Sequence, residues 1–181
     1  MTLNVPFQHS YWVVPGKFLA GSYPGSEDPA EAQRRYKAFL DHGLRTFIDL
    51  TQPWETNRSN MPFVFYPPEL KAMANKMGFK TVFYRFGIDD FSVPAKGLMV
   101  LILNAIDRSI QEDRPAYVHC RGGIGRTGTA VGCYLARRGY ASGEDALRMI
   151  QDLRRSTPAS YMRSPEASEQ REMVRSWRKG R

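Results

Sequence analysis

Val118-His119-Cys120-Arg121-Gly122-Gly123-Ile124-Gly125-Arg126-Thr127-Gly128 is the most informative run of this chain. An apolar strand, Ala116 to His119, hands a cysteine to a glycine-rich loop, and a helix over 127–138 follows at once. Such a loop turns successive backbone N–H groups inward as a nest for an anion. The new helix adds the positive end of its dipole at the same spot. Gly122, Gly123 and Gly125 let the backbone curl and approach a ligand closely. Five residues separate Cys120 from Arg126, so the arginine returns across the loop. There its planar fork suits two oxygens of a phosphoryl group. Cys120 lies at the floor of the cradle, where positive surroundings favour the thiolate, a nucleophile for phosphorus. Thr127 is placed to hydrogen-bond that sulfur and help it leave.

Working outward, Phe18 to Gly21 reads as a short strand entering a turn. Asp28-Pro29-Ala30-Glu31 supplies an N-cap, a proline at the first helical position and a capping-box glutamate. That helix carries Tyr36, Phe39 and Leu40 inward and stops near Gly43. Residues 45–50 suit a buried strand. Four prolines in residues 51–68 predict a long loop. A helix over 69–77, a strand over 80–86 and an apolar helix over 96–111 follow. Beyond the loop, Ser142 and Asp145 predict a cap for a helix reaching about Ser156, and Ser164-Pro165-Glu166 the start of a last one reaching about Arg178. Strands alternating with helices predict an α/β sandwich: a central, mostly parallel sheet with helices on both faces. No repeat or linker divides the sequence, so residues 1–181 read as one domain with its core at about 11–178.

The 181 residues carry a formal charge of +8, with 42% hydrophobic and 12% aromatic content. That is a globular composition whose charge favours anionic ligands. Two cysteines, Cys120 and Cys133, make no disulfide framework. His9, His42 and His119 stand at unrelated spacings, so neither a metal nor an organic cofactor is expected. The N-terminal stretch lacks the basic start and apolar run of a signal peptide, and no apolar run is long enough to span a bilayer. A cytoplasmic location is the expectation. Nucleic-acid binding would rest on charge alone, without aromatic interleaving.

His119-Cys120 to Arg126, with Thr127-Gly128 behind it, resembles the Cys-x5-Arg signature of the protein tyrosine phosphatase superfamily. The order of elements from about Phe18 to Trp177 is similar to the compact dual-specificity branch. The resemblance implies a phosphatase fold with the phosphate loop between a strand and a helix. It also implies phosphomonoester hydrolysis through a phosphocysteine on Cys120, Arg126 and the loop residues Arg121, Gly122, Gly123, Ile124 and Gly125 holding the phosphoryl oxygens.

An acid loop upstream is implied too. Asp89-Asp90-Phe91-Ser92-Val93-Pro94 is similar to it, and counting back from Pro94 assigns Asp90, with Asp89 the second choice. Ile88-Asp89 stand where the classical receptor-like enzymes carry a tryptophan-proline hinge. His119 orients the loop in this family and is at the same time a core histidine. Cys133 reads as core. Gln170 resembles a water-positioning glutamine of some members, although a solvated helix surface is the preferred reading. Arg137, Arg138, Arg154 and Arg155 read as arginines favoured near helix C-termini.

The substrate implied is phosphotyrosine in proteins, with phosphoserine and phosphothreonine as in dual-specificity relatives. The alternative is a phosphoinositide or inositol phosphate, because Arg121 resembles a basic residue of the lipid phosphatases; their second one falls at Ile124 here. Arg121 as a solvated rim residue stays equally open. Only under the lipid alternative is a membrane lipid a partner. A catalytically silent phosphate-binding module is the rival of another class, disfavoured because nucleophile, arginine and acid are all retained.

Overall fold

The computed structural model describes residues 4–57 and 59–181. Part of the N-terminal stretch (residues 1–3) and residue 58 of the proline-containing loop lie outside them.

The strands are β1 (Ser10–Val14), β2 (Phe18–Gly21), β3 (Thr46–Asp49), β4 (Val82–Arg85) and β5 (Ala116–His119). The helices are α1 (Pro29–Asp41), α2 (Pro67–Lys76), α3 (Lys96–Gln111), α4 (Gly125–Arg138), α5 (Gly143–Leu153) and α6 (Ser168–Ser176). Among the described residues, one sheet runs in the order β1-β2-β5-β3-β4. All its pairs are parallel except the edge pair β1–β2.

The short central strands have both faces covered and are largely apolar, as in the fully buried Ala116-Tyr117-Val118-His119. Their side chains alternate between two cores. Leu19, Phe47 and Tyr117 point to α1 and α2, against Tyr36, Phe39 and Leu70. Phe18, Ile48 and Val118 point the other way, toward Ile102, Val131, Ile150 and Val174 of α3 to α6. The α/β sandwich with helices on both faces is therefore present. Because β5 lies between β2 and β3, its C-terminal end opens onto the loops that follow both neighbours.

Several local expectations shift. β1 was not anticipated; it is joined to β2 by a turn in which Lys17 N–H donates to the Val14 carbonyl at 3.0 Å, with Gly16 at φ +69°. Asp28 caps α1 by accepting from Ala30 N–H at 2.9 Å. Glu31 does not complete a capping box, because Ser26 at 3.0 Å and the guanidinium of Arg35, one turn on, take its carboxylate. Ser142 stands at the N-cap of α5, yet its side chain makes no capping bond. That helix ends at Leu153, short of Ser156, because Arg154 folds the next segment back. Its guanidinium donates to the carbonyls of Ala159 at 2.9 Å and Met162 at 3.0 Å. The last helix starts at Ser168 rather than Ser164, whose hydroxyl is committed to the Ile124 carbonyl at 2.7 Å.

Candidate active site around Cys120

The loop leaves β5 at His119 and runs directly into α4, which begins at Gly125, two residues before the expected start. Arg126 thus lies in the first helical turn. Cys120 is nearly buried at 3% exposure, and Gly123 N–H points at its Sγ from 3.3 Å. The loop leans on the end of β2, where Tyr23 N–H donates to the Arg121 carbonyl at 3.1 Å. Gly123 carries φ +71°, and a β-carbon there would stand 2.5 Å from the Gly21 carbonyl carbon and 2.6 Å from Ser22 N. Backbone cannot give way as a flexible side chain can. Gly123→Ala is accordingly expected to destabilise the protein by about 3 kcal/mol, combining a left-handed alanine with overpacking. Denaturant unfolding measures this.

Arg126 is 1% exposed. Its Nη1 donates to the Ile88 carbonyl at 2.8 Å, and its Nη2 to Glu55 Oε2 at 2.9 Å, with Glu55 Oε1 also on Nη1. Asp90 Oδ1 stands 3.1 Å from Nη2. Burial opposes the charge, but Glu55, Cys120 and Asp90 together hold the guanidinium above its ordinary range. Its buried Nε has no hydrogen-bond partner among the described residues. A buried donor left without a partner costs free energy, so this N–H suits an acceptor on a ligand. Sequence reasoning missed Glu55, a lone glutamate in an irregular loop with no periodicity to mark it.

The two acid-loop aspartates separate. Asp89 accepts from the Gln52 side chain at 2.9 Å, whereas Asp90 lines the cleft that holds Cys120. Gln170 departs from its preferred reading, since it is fully buried rather than solvated. Its Nε2 donates to the Ser92 carbonyl at 3.0 Å and its Oε1 accepts from Ala167 N–H at 3.1 Å. It therefore ties the acid loop to α6.

His119 lies beneath the loop, fully buried, rather than in the cleft. Its Nε2 meets the Tyr66 hydroxyl at 2.8 Å, and its Nδ1 faces the Cys120 carbonyl at 3.4 Å and Asp49 Oδ1 at 3.8 Å. Burial pushes the imidazole pKa down and Asp49 only partly offsets it, which keeps the ring neutral at neutral pH. The Thr127 hydroxyl donates to the Gly21 carbonyl at 3.3 Å, not to sulfur as expected. Arg121 and Gly122 are exposed on the lip, while Ile124 is buried in the wall and Gly125 packs against Gln170. Cys133 is fully buried, which pushes its thiol pKa up. Arg154 is buried too, and is not a solvated helix-end cation.

The cleft has a volume of about 770 Å³, with Tyr23, Phe63, Phe91 and Tyr161 among its walls. A larger depression of about 950 Å³ beside Tyr140 and Arg148 has neither a cysteine nor the cradle. Cys120 and Asp90 are at the smaller one.

A family model described as polymorphic toxin system, DSP-PTPase phosphatase, matches residues 22–140, from the end of β2 to just past α4. The chain belongs to this family. The DSP-PTPase match spans the cradle, Arg126, Glu55 and both aspartates of the acid loop. Protein tyrosine phosphatase domain-containing protein 1 of Mus musculus is 28% identical over 149 residues, 79% of this chain and 19% of that protein. The dual specificity protein phosphatase CDC14A of Homo sapiens is 28% identical over 134 residues, 70% of this chain and 19% of that protein. The chain thus spans about a fifth of the length of these curated relatives. Among solved structures, PTPMT1 in complex with PI(5)P superposes with a TM-score of 0.63 at 20% identity, covering 92% of this chain and 94% of that one. The fold is that of the protein tyrosine phosphatase superfamily. No helix among the described residues is long and apolar enough to cross a membrane.

Proposed function

We propose that this chain hydrolyses phosphomonoesters through a phosphocysteine on Cys120, with phosphotyrosine in proteins as its substrate. One observation carries the reading. A nearly buried thiol faces a loop amide, beside an arginine whose Nε is buried without a partner among the described residues. A phosphoryl group seated over Sγ would take that N–H and the loop amides on its equatorial oxygens, and the positive end of α4 would favour its charge.

In the first step Sγ forms a bond to phosphorus as the bond to the leaving oxygen breaks, and Asp90 gives its proton to that oxygen. In the second, water attacks phosphorus, the S–P bond breaks, sulfur leaves as thiolate and the water proton goes to Asp90. Neither step calls for a metal or an organic cofactor. The aromatic walls of the cleft support an aryl phosphate, because a phenyl ring gains from edge and face contacts.

Asp90→Asn is expected to lower kcat about 10²- to 10³-fold on a phosphotyrosine or phosphoserine peptide. The loss should be clearly smaller on p-nitrophenyl phosphate, whose leaving group needs no proton. A parallel assay of the substrates checks this, and equal losses on all of them would remove Asp90 from the acid role.

A second reading rests on Arg121, exposed on the lip of the cradle in a chain of net charge +8. A lip cation suits a further phosphate, as on a phosphoinositide or inositol phosphate. Two structures of this fold support it, PTPMT1 with PI(5)P and the PP-IP phosphatase SIW14. Hydrolysis of a phosphotyrosine peptide, a phosphoserine peptide and a soluble phosphoinositide ranks the readings. The first reading expects the phosphotyrosine peptide to lead; a leading phosphoinositide would replace it with the second.

A further inference from the structure

Gln170 has both ends of its amide committed to backbone, so it offers nothing to a water in the cleft. Four residues earlier, Glu166 does reach the cleft, sharing it with Cys120 and Asp90. The glutamate is partly buried, and a β-carbon added to Gly125 would stand 2.9 Å from its Oε2. Its carboxylate therefore packs on the first residue of α4, next to Arg126. The charged neighbours felt by this group are Asp90 from the acid loop, Arg126 from α4 and Arg154 from the end of α5. Burial and then Asp90 raise its pKa, while the two arginines and the Gly125 amide oppose them. The residue occupies a costly place for a charge, and none of the steps above uses it.

We propose that Glu166 holds the water that hydrolyses the phosphocysteine, its carboxylate accepting one hydrogen while Asp90 receives the other as a proton. The water oxygen then bonds to phosphorus, the S–P bond breaks and the Cys120 thiolate departs. The inference rests on the phosphocysteine reading of the same site. A water held by one acceptor still rotates about that bond. Two acceptors fix both hydrogens and leave a lone pair facing phosphorus, and it is such orientation that turns proximity into rate. In-line displacement also puts the water where the leaving oxygen stood, which is the position Asp90 serves in both steps. The second carboxylate comes to the same cleft on the segment leading into α6.

The two steps separate in a rapid-mixing experiment with p-nitrophenyl phosphate, run on the full chain as wild type, Glu166→Ala, Glu166→Gln and Cys120→Ser. Loss of the water-holding group slows the second step only. Glu166→Ala should release a burst of nitrophenol close to one equivalent per enzyme, at the wild-type rate. A steady state lowered about 10- to 100-fold should follow. Acid quenching should recover the enzyme phosphorylated. Glu166→Gln, whose amide oxygen still accepts a hydrogen, should fall between the two. A fast burst needs an intact cradle, so it also shows that the variant is folded. An unchanged steady state in Glu166→Ala would overturn the proposal. So would burst and steady-state rates that fall together, which is what a merely structural role would give. Turnover persisting in Cys120→Ser would instead overturn the phosphocysteine reading beneath it.

Discussion

Cys120→Ser lowers turnover on the order of 10⁵-fold in this account, the scale reached when a covalent nucleophile is removed. The reason lies in what surrounds the sulfur. Sulfur is intrinsically the stronger nucleophile, and the Gly123 N–H points at it from 3.3 Å. A serine hydroxyl needs a base within hydrogen-bond reach. The adjacent imidazole is turned away, bonded to Tyr66 at 2.8 Å beneath the loop. With the imidazole engaged beneath the loop, the serine variant keeps the cradle and loses the chemistry. It should therefore still bind phosphate or a phosphotyrosine peptide, which titration calorimetry reads directly. Loss of binding along with turnover would mean that the substitution had collapsed the loop.

Arg126→Lys is the second large effect, a fall in kcat/KM of about 10³-fold despite the retained charge. The guanidinium meets the Ile88 carbonyl, both oxygens of Glu55 and Asp90, while its Nε has no partner among the described residues. An ammonium is one point on a flexible stem and cannot serve two directions at once. Either it stays with the carboxylates and abandons the phosphoryl oxygens, or it leaves Glu55 and Asp90 facing each other beside an incoming dianion. Steady-state kinetics on a phosphotyrosine peptide check the prediction. A lysine enzyme within tenfold of wild type would show that the planar fork is not what holds the transition state.

The sheet and the cradle were legible in the sequence for a definite reason. β5 and the loop after it are local: three apolar residues and a histidine, then glycines at closely spaced positions, then a helix. α3, with Lys96 and Gln111 as its ends, was readable because its apolar period is long and uninterrupted. β1 escaped even though Tyr11, Trp12, Val13 and Val14 favour a strand and Pro15-Gly16 marks the turn that joins it to β2. The unread parts are contacts between distant segments. Glu55 reaches Arg126 across 71 positions of sequence, and Gln170 reaches Ser92 across 78. No periodicity records such pairings. The same holds for Thr127, whose hydroxyl faces the Gly21 carbonyl because β2 and β5 are neighbours in the sheet. Asp90 could be counted back from Pro94, but its separation from Asp89 came only with Gln52 taking the latter.

The most direct test is to mix the wild-type protein with p-nitrophenyl phosphate, quench in acid within the first turnover, digest and identify the phosphorylated peptide by mass spectrometry. The account predicts one phosphoryl group on Cys120, absent from Cys120→Ser. Turnover without a phosphorylated enzyme, or with the phosphoryl group on any other residue, would contradict it.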